Sequence, residues 1–167
     1  CCGPSGRLSW GRDVSIRGKA FVAGIYEHPC RGAANKTLAQ LHAEIAKGAI
    51  ADAGLSMGDV DAYFCAGDAP GLGPLNMIEY LGLQNVRHMD STETGGSSYL
   101  VHVNHAAQAI AAGHCNIALI TLAGRPLADA KEGKSGGFHN TEAPDFPFEA
   151  PFGANVANMY AMCAKRH

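Results

Sequence analysis

The sequence predicts an α/β domain built on a largely parallel sheet, and three observations predict it. From Gly18 onward, short apolar runs alternate with segments of helical periodicity, the pattern of βαβ units. The run CNIALITLAG at residues 115–124 is apolar on both faces, as a strand covered on both sides must be. The chain also carries 21 glycines in 167 residues, enough for many tight turns.

The elements follow in order. KAFVAGIY at residues 19–26 reads as a first strand, with Pro29 and Gly32 breaking the exit loop. Thr37 with Gln40 three residues on forms a capping box. Leu38, Leu41, Ile45 and Ala49 then make one apolar stripe, and Gly54 supplies the stop of a first helix. DAYFCAG at residues 61–67 is a second, buried strand. A turn-rich stretch leads from it to a short helix at 75–83 and a third strand at 86–90. Residues 96–113 form an Ala-rich helix with few and small polar residues, expected to be enclosed by protein on most sides. The strand at 115–124 is expected to be central in the sheet. Residues 125–153 form a long segment rich in Gly, Pro and charge, of the kind that serves as a lid or binding loop. A final helix starts near Asn155 and reaches the last residue without a stop signal, so the chain reads as cut and not finished. Residues 1–17 lack any periodic pattern and read as an unstructured or non-native extension, leaving 18–167 as one domain.

Composition narrows the function. Apolar residues at 47% against 17% charged fit a globular chain with a core. A net charge of −2 with scattered basic residues offers no footprint for nucleic acid or anionic membrane. No apolar run approaches the roughly 20 residues that a bilayer requires, so no membrane span is expected and a cytoplasmic location follows by default. Small molecules and proteins remain as partners.

Several motifs carry little. The six cysteines show no metal or redox spacing, and Cys65 and Cys115 lie in strand-like runs as small buried hydrophobes. GLGPLN at 71–76 has Asn76 where a dinucleotide fold needs its third glycine. EGKS at 132–135 lacks the first glycine of a phosphate loop. His102 and His105 share a helix face, yet no further ligand in their segment completes a metal set, and no metal is expected.

The strongest local signal is the junction HMDSTETGGSSYLV at 88–101, where a short strand passes through Ser, Thr and two glycines into the Ala-rich helix. Such a junction aims N–H groups at one point and favours an anion or a developing oxyanion. It reads equally as a capped helix, with Ser91, Thr92 or Thr94 as the N-cap.

The stretch STETGGSSYLVHVNHAAQAIAAGHCNIALITLAGRP, residues 91–126, resembles the N-terminal half of sterol-carrier-protein-type thiolases, the lipid-transfer-protein-like acetyl-CoA acetyltransferases. The resemblance runs over residues 18–167. It implies a thiolase-like half with a mixed five-stranded sheet, helices on both faces, and the helix at 96–113 sandwiched against a second half that this chain lacks. In that family the turn reads Cys-Ala-Ser/Thr-Gly, and its cysteine is acylated by the thioester substrate. Aligned on Thr94 and Gly95, the cysteine position is Thr92 and the alanine position is Glu93. A Thr hydroxyl needs a strong, well-placed base before it attacks, so the nucleophile is lost.

Relatives without the cysteine are aldolases that split a β-hydroxyacyl-CoA, often with an OB-fold partner subunit. A retro-aldol cleavage uses no acyl-enzyme, which makes the loss intelligible. The resemblance thus implies a CoA thioester substrate, no bound cofactor and a homodimer of full-length subunits. The remaining catalytic groups belong to the second half. Thr92 and Glu93 are the candidate catalytic positions, Glu93 being either a base or a dipole-favoured surface carboxylate. Gly95 and Gly96 are the candidate oxyanion donors at the helix start. The alternative is a non-catalytic subunit that binds acyl-CoA or a partner, or an inactive fragment.

Overall fold

The computed structural model of the chain describes residues 15–30, 32–33, 35–125, 148 and 156–167. They fall into two compact units, Cys1–Arg31 with Asn35–Gly124, and Gly32–Ala34 with Arg125–His167.

The first unit is an α/β layer structure. Helix α1 (Leu38–Asp52) begins at the Thr37–Gln40 capping box, in which the Thr37 side chain accepts from the Gln40 N–H and the Gln40 side chain accepts from the Thr37 N–H. A 3-10 turn (Met57–Asp59) leads into β1 (Ala62–Phe64). Helix α2 (Pro74–Leu81) follows, with Pro74 in its first turn, where its missing N–H has no partner to lose, and left-handed Gly82 at its end. Then come β2 (His88–Asp90), α3 (Ser98–Ala111) and β3 (Ala118–Ile120).

The three strands are parallel in the order β2-β1-β3, with Ala62 opposite both His88 and Ala118. Asp61 sets this register from one residue before β1. Its carboxylate accepts from the N–H groups of Asn116 and Ile117 at 2.8–3.0 Å and pairs with Arg87, which immediately precedes β2. Burial alone pushes the Asp61 pKa up, but these hydrogen bonds and the Arg87 cation outweigh it and hold the carboxyl below its usual range.

Alternation along β1 divides the core. Tyr63 and Cys65 point into a cluster with Ala46 and Ile50 of α1, Met77 of α2 and Leu119. Ala62 and Phe64 point the other way, into Ala106 and Ala109 of α3 and Cys115. Helices therefore cover both faces of the sheet.

Three expectations are corrected. The described residues form a three-stranded parallel sheet and not a mixed five-stranded one. The segment expected as the first strand, residues 19–26, runs along α1 without sheet pairing: the Ile25 N–H donates to Asp52 at 2.9 Å, the Tyr26 ring covers Gly48, and Phe21, Val22 and Ile25 stay exposed. Among the described strands the central one is β1, whose three residues are wholly buried, and β3 lies beside it on the outside. Among the described residues, α3 buries Ser98, His102, Ala106 and Ala109 and exposes Leu100 and Val103, as the expected place of this helix against a second half implies.

In the second unit the described helix is α4 (Val156–Arg166), with Lys165 and Arg166 in its last turn, where cations suit the helix dipole. The segment at 125–153, apart from Arg125 and Phe148, and the EGKS stretch lie outside the described residues, as do residues 1–14. No helix among the described residues is long and apolar enough to cross a membrane.

Candidate functional site

Parallel strands present their C-terminal ends on one edge, and there the polar groups of this unit gather. Beyond β2 the chain turns at Asp90. One oxygen of its carboxylate accepts from the Thr92 N–H at 2.8 Å and from the Thr92 hydroxyl at 2.7 Å, and the other faces Nδ1 of His105 on α3. Burial pushes Asp90 up, but His105 and the two Thr92 donors prevail and hold it down at about 2. Thr92 Oγ is thus a donor to a carboxylate that is itself a very weak base. The Thr92 carbonyl meets Nε2 of His102 at 2.9 Å, and His102 is fully buried.

Glu93 folds its carboxylate back over the junction. Its Oε2 accepts from the Gly67 N–H at 2.6 Å, beyond the end of β1, and its Oε1 from the Gly95 N–H at 2.6 Å. Ser98 Oγ stands 2.8 Å from the same Oε1 and 2.7 Å from the Gly95 carbonyl, so its one proton is shared between them. The N–H of Gly67, then the Ser98 hydroxyl and the Gly95 N–H, keep this carboxyl below the usual range, with a further contribution from His102. Gly95 sits at φ +68°, open to glycine at little strain, and Gly96 is exposed. Helix α3 starts without a side-chain cap. Its N-cap is Ser97, and not Ser91, Thr92 or Thr94.

A second cluster, which local sequence patterns do not signal, lies beside the first. His42 of α1 is fully buried and its Nδ1 is 2.8 Å from the Thr121 hydroxyl, which in turn is 2.6 Å from the Tyr63 hydroxyl. Nε2 of His42 lies 3.2 Å from Asp68 Oδ2, off the line of a good hydrogen bond. A lone pair facing a carboxylate is repelled, so the proton belongs on Nε2 and Nδ1 accepts from Thr121. Tyr63 then donates to Thr121, and burial, which drives its pKa far upward, keeps it protonated. Asp68 also accepts from Tyr99 and from the Ala123 N–H. The chain Tyr63–Thr121–His42–Asp68 ties α1, β1, β3 and α3 together behind the junction.

The two buried cysteines are poor nucleophiles. Burial pushes the Cys65 thiol up to about 11 and raises Cys115 as well, so both stay protonated. No group of three or more His, Cys, Asp or Glu residues that could hold a metal occurs among the described residues.

No family model matches the chain, and no curated protein matches it. Its fold is similar to that of a solved structure, the "Ltp2-ChsH2(DUF35) aldolase", with a TM-score of 0.68 and 24% sequence identity. The match covers 86% of this chain and 36% of that one, so the chain spans little more than a third of the length of the protein it resembles.

Proposed function

We propose that the chain belongs to a thiolase-like protein of acyl-CoA metabolism that acts as a carbon–carbon lyase, splitting a β-hydroxyacyl-CoA, and not as an acyltransferase. The observation that carries this reading is made at Thr92, which the resemblance aligns with the family nucleophile. Its hydroxyl proton points at Asp90, whose pKa of about 2 makes it no base for activating an alcohol near neutral pH. Acyl transfer through a covalent enzyme then has no nucleophile at this junction. Retro-aldol cleavage needs only a base for the substrate hydroxyl and a place for the enolate charge, and survives the substitution. The likeness in fold to an aldolase supports the same reading.

In this reading the substrate is a CoA thioester and no cofactor is bound. The working unit is a cytoplasmic dimer of subunits with a second half, joined by an OB-fold partner. The name of the matching structure couples Ltp2 with ChsH2(DUF35), which supports a partner protein. The base lies outside this chain. The test is incubation with radiolabelled acetyl-CoA and, in parallel, cleavage of a β-hydroxyacyl-CoA by the protein complemented with its second half. Cleavage without stable label on the chain is expected, and a stable acyl group mapped to any of its residues overturns the reading.

One observation favours a non-catalytic acyl-CoA-binding subunit: the Glu93 carboxylate, the one candidate base at this junction, is engaged by Gly67, Gly95 and Ser98, which lower its basicity. Saturable CoA-thioester binding with no cleavage by the complemented protein selects this alternative.

A further inference from the structure

The Gly67 N–H, the Gly95 N–H and the Ser98 hydroxyl converge on one carboxylate from two separate stretches of chain, the exit of β1 and the approach to α3. Gly67 is fitted to that carboxylate. A Cβ built there would stand 2.9 Å from Glu93 Oε2, so only the bare backbone lets an oxygen come so close. Nearby, His102 is fully buried, and among the described residues its Nδ1 has no partner. The Glu93 side chain, by contrast, belongs to an exposed residue whose arm is not packed into the core. Donors from two stretches of chain thus meet on the end of one exposed side chain.

We propose that these three donors form a binding site for small carboxylates, and that Glu93 is its resident and displaceable occupant. The donors recognise a planar, two-oxygen anion, with one oxygen at Gly67 and the other between Gly95 and Ser98. Tethered to the same loop, Glu93 competes at high effective concentration and keeps the site closed to external ligands. The proposal concerns binding and stands whether or not the chain takes part in carbon–carbon cleavage.

Acetate titration of the whole 167-residue chain tests it, read at the Gly67 and Gly95 amide resonances with chloride at equal ionic strength as control. In Glu93→Ala both amides should move together and saturably toward their wild-type positions, while the wild-type chain should respond at least about tenfold more weakly. Adding Gly67→Ala to Glu93→Ala should weaken acetate binding about tenfold again, because the new Cβ fills the place of one oxygen. A folded Glu93→Ala chain without a saturable acetate response overturns the proposal, and so does a wild-type chain that binds acetate equally well. If Glu93→Ala is unfolded in chloride, acetate must restore its fold, and failure to do so counts against the proposal in the same way.

Discussion

At the scale of single residues, two aspartates of the same charge have different duties. Asp61 is a buried bracket for strand register, and it is one of the few acids the sequence places inside an apolar run. Replacing it with Ala removes the acceptor of the Asn116 and half-buried Ile117 N–H groups and the partner of Arg87. The expected loss is about 3 kcal/mol, measured as a fall in the urea midpoint at neutral pH. Asp90 instead links acid stability to the junction. Its folded pKa of about 2 lies below the ordinary 3.8, so its contribution is complete above the ordinary value and is lost as pH falls from there through 2. The difference amounts to about 2 kcal/mol, and Asp90→Asn should show correspondingly less acid destabilisation between about pH 5 and about pH 2 than the wild-type chain. Equal acid sensitivity in the two proteins would reject this role for Asp90. The sequence marked Thr92 and Glu93 by alignment, but the partners that decide their chemistry, Asp90 and Gly67, became visible only in three dimensions.

At the scale of elements, α1 was legible almost to the residue because its signals are local. The capping box and the left-handed Gly54 bound it on both sides. Thr37→Ala should cost about 1 kcal/mol in thermal unfolding experiments, as the loss of an N-cap does. Gly48 within α1 costs the helix about 1 kcal/mol relative to Ala, and its retention has a packing reason: the Tyr26 ring lies where a Cβ would be. Gly48→Ala should therefore strengthen α1 while dislodging the segment around Tyr26, seen as faster proteolysis within residues 19–26 at undiminished helix content. That segment has the composition of a strand, yet lies unpaired against α1. Its apolar alternation specifies an extended chain. Composition does not specify the neighbour that would complete its hydrogen bonds.

At the scale of the whole molecule, the described chain buries two clusters on either side of β1 and leaves a large amount of apolar surface outside. On α3, Leu100 is 76% exposed and Val103 48% exposed, one turn apart, where most monomers present polar groups. The chain should bind an apolar fluorescent dye while folded, and the pair Leu100→Glu and Val103→Glu should reduce that signal by about half without lowering the melting temperature. A signal unchanged by the pair would place the apolar surface elsewhere, with Phe21, Val22 and Ile25 the next residues to replace.

By itself the sequence determined the α/β class, the order and approximate limits of the helices, the burial of Cys65 and Cys115, and the unusual junction at residues 91–96. All of these rest on short-range periodicity, capping and turn chemistry, which act over a few residues. Only the tertiary structure decided which strand is central, where residues 19–26 lie, and which donors meet the Glu93 carboxylate. Those outcomes depend on contacts such as Gly67 with Glu93 or His42 with Thr121, between residues 26 and 79 positions apart. No local pattern encodes such a distance, because the polar groups that pair in this way meet only once the core has closed.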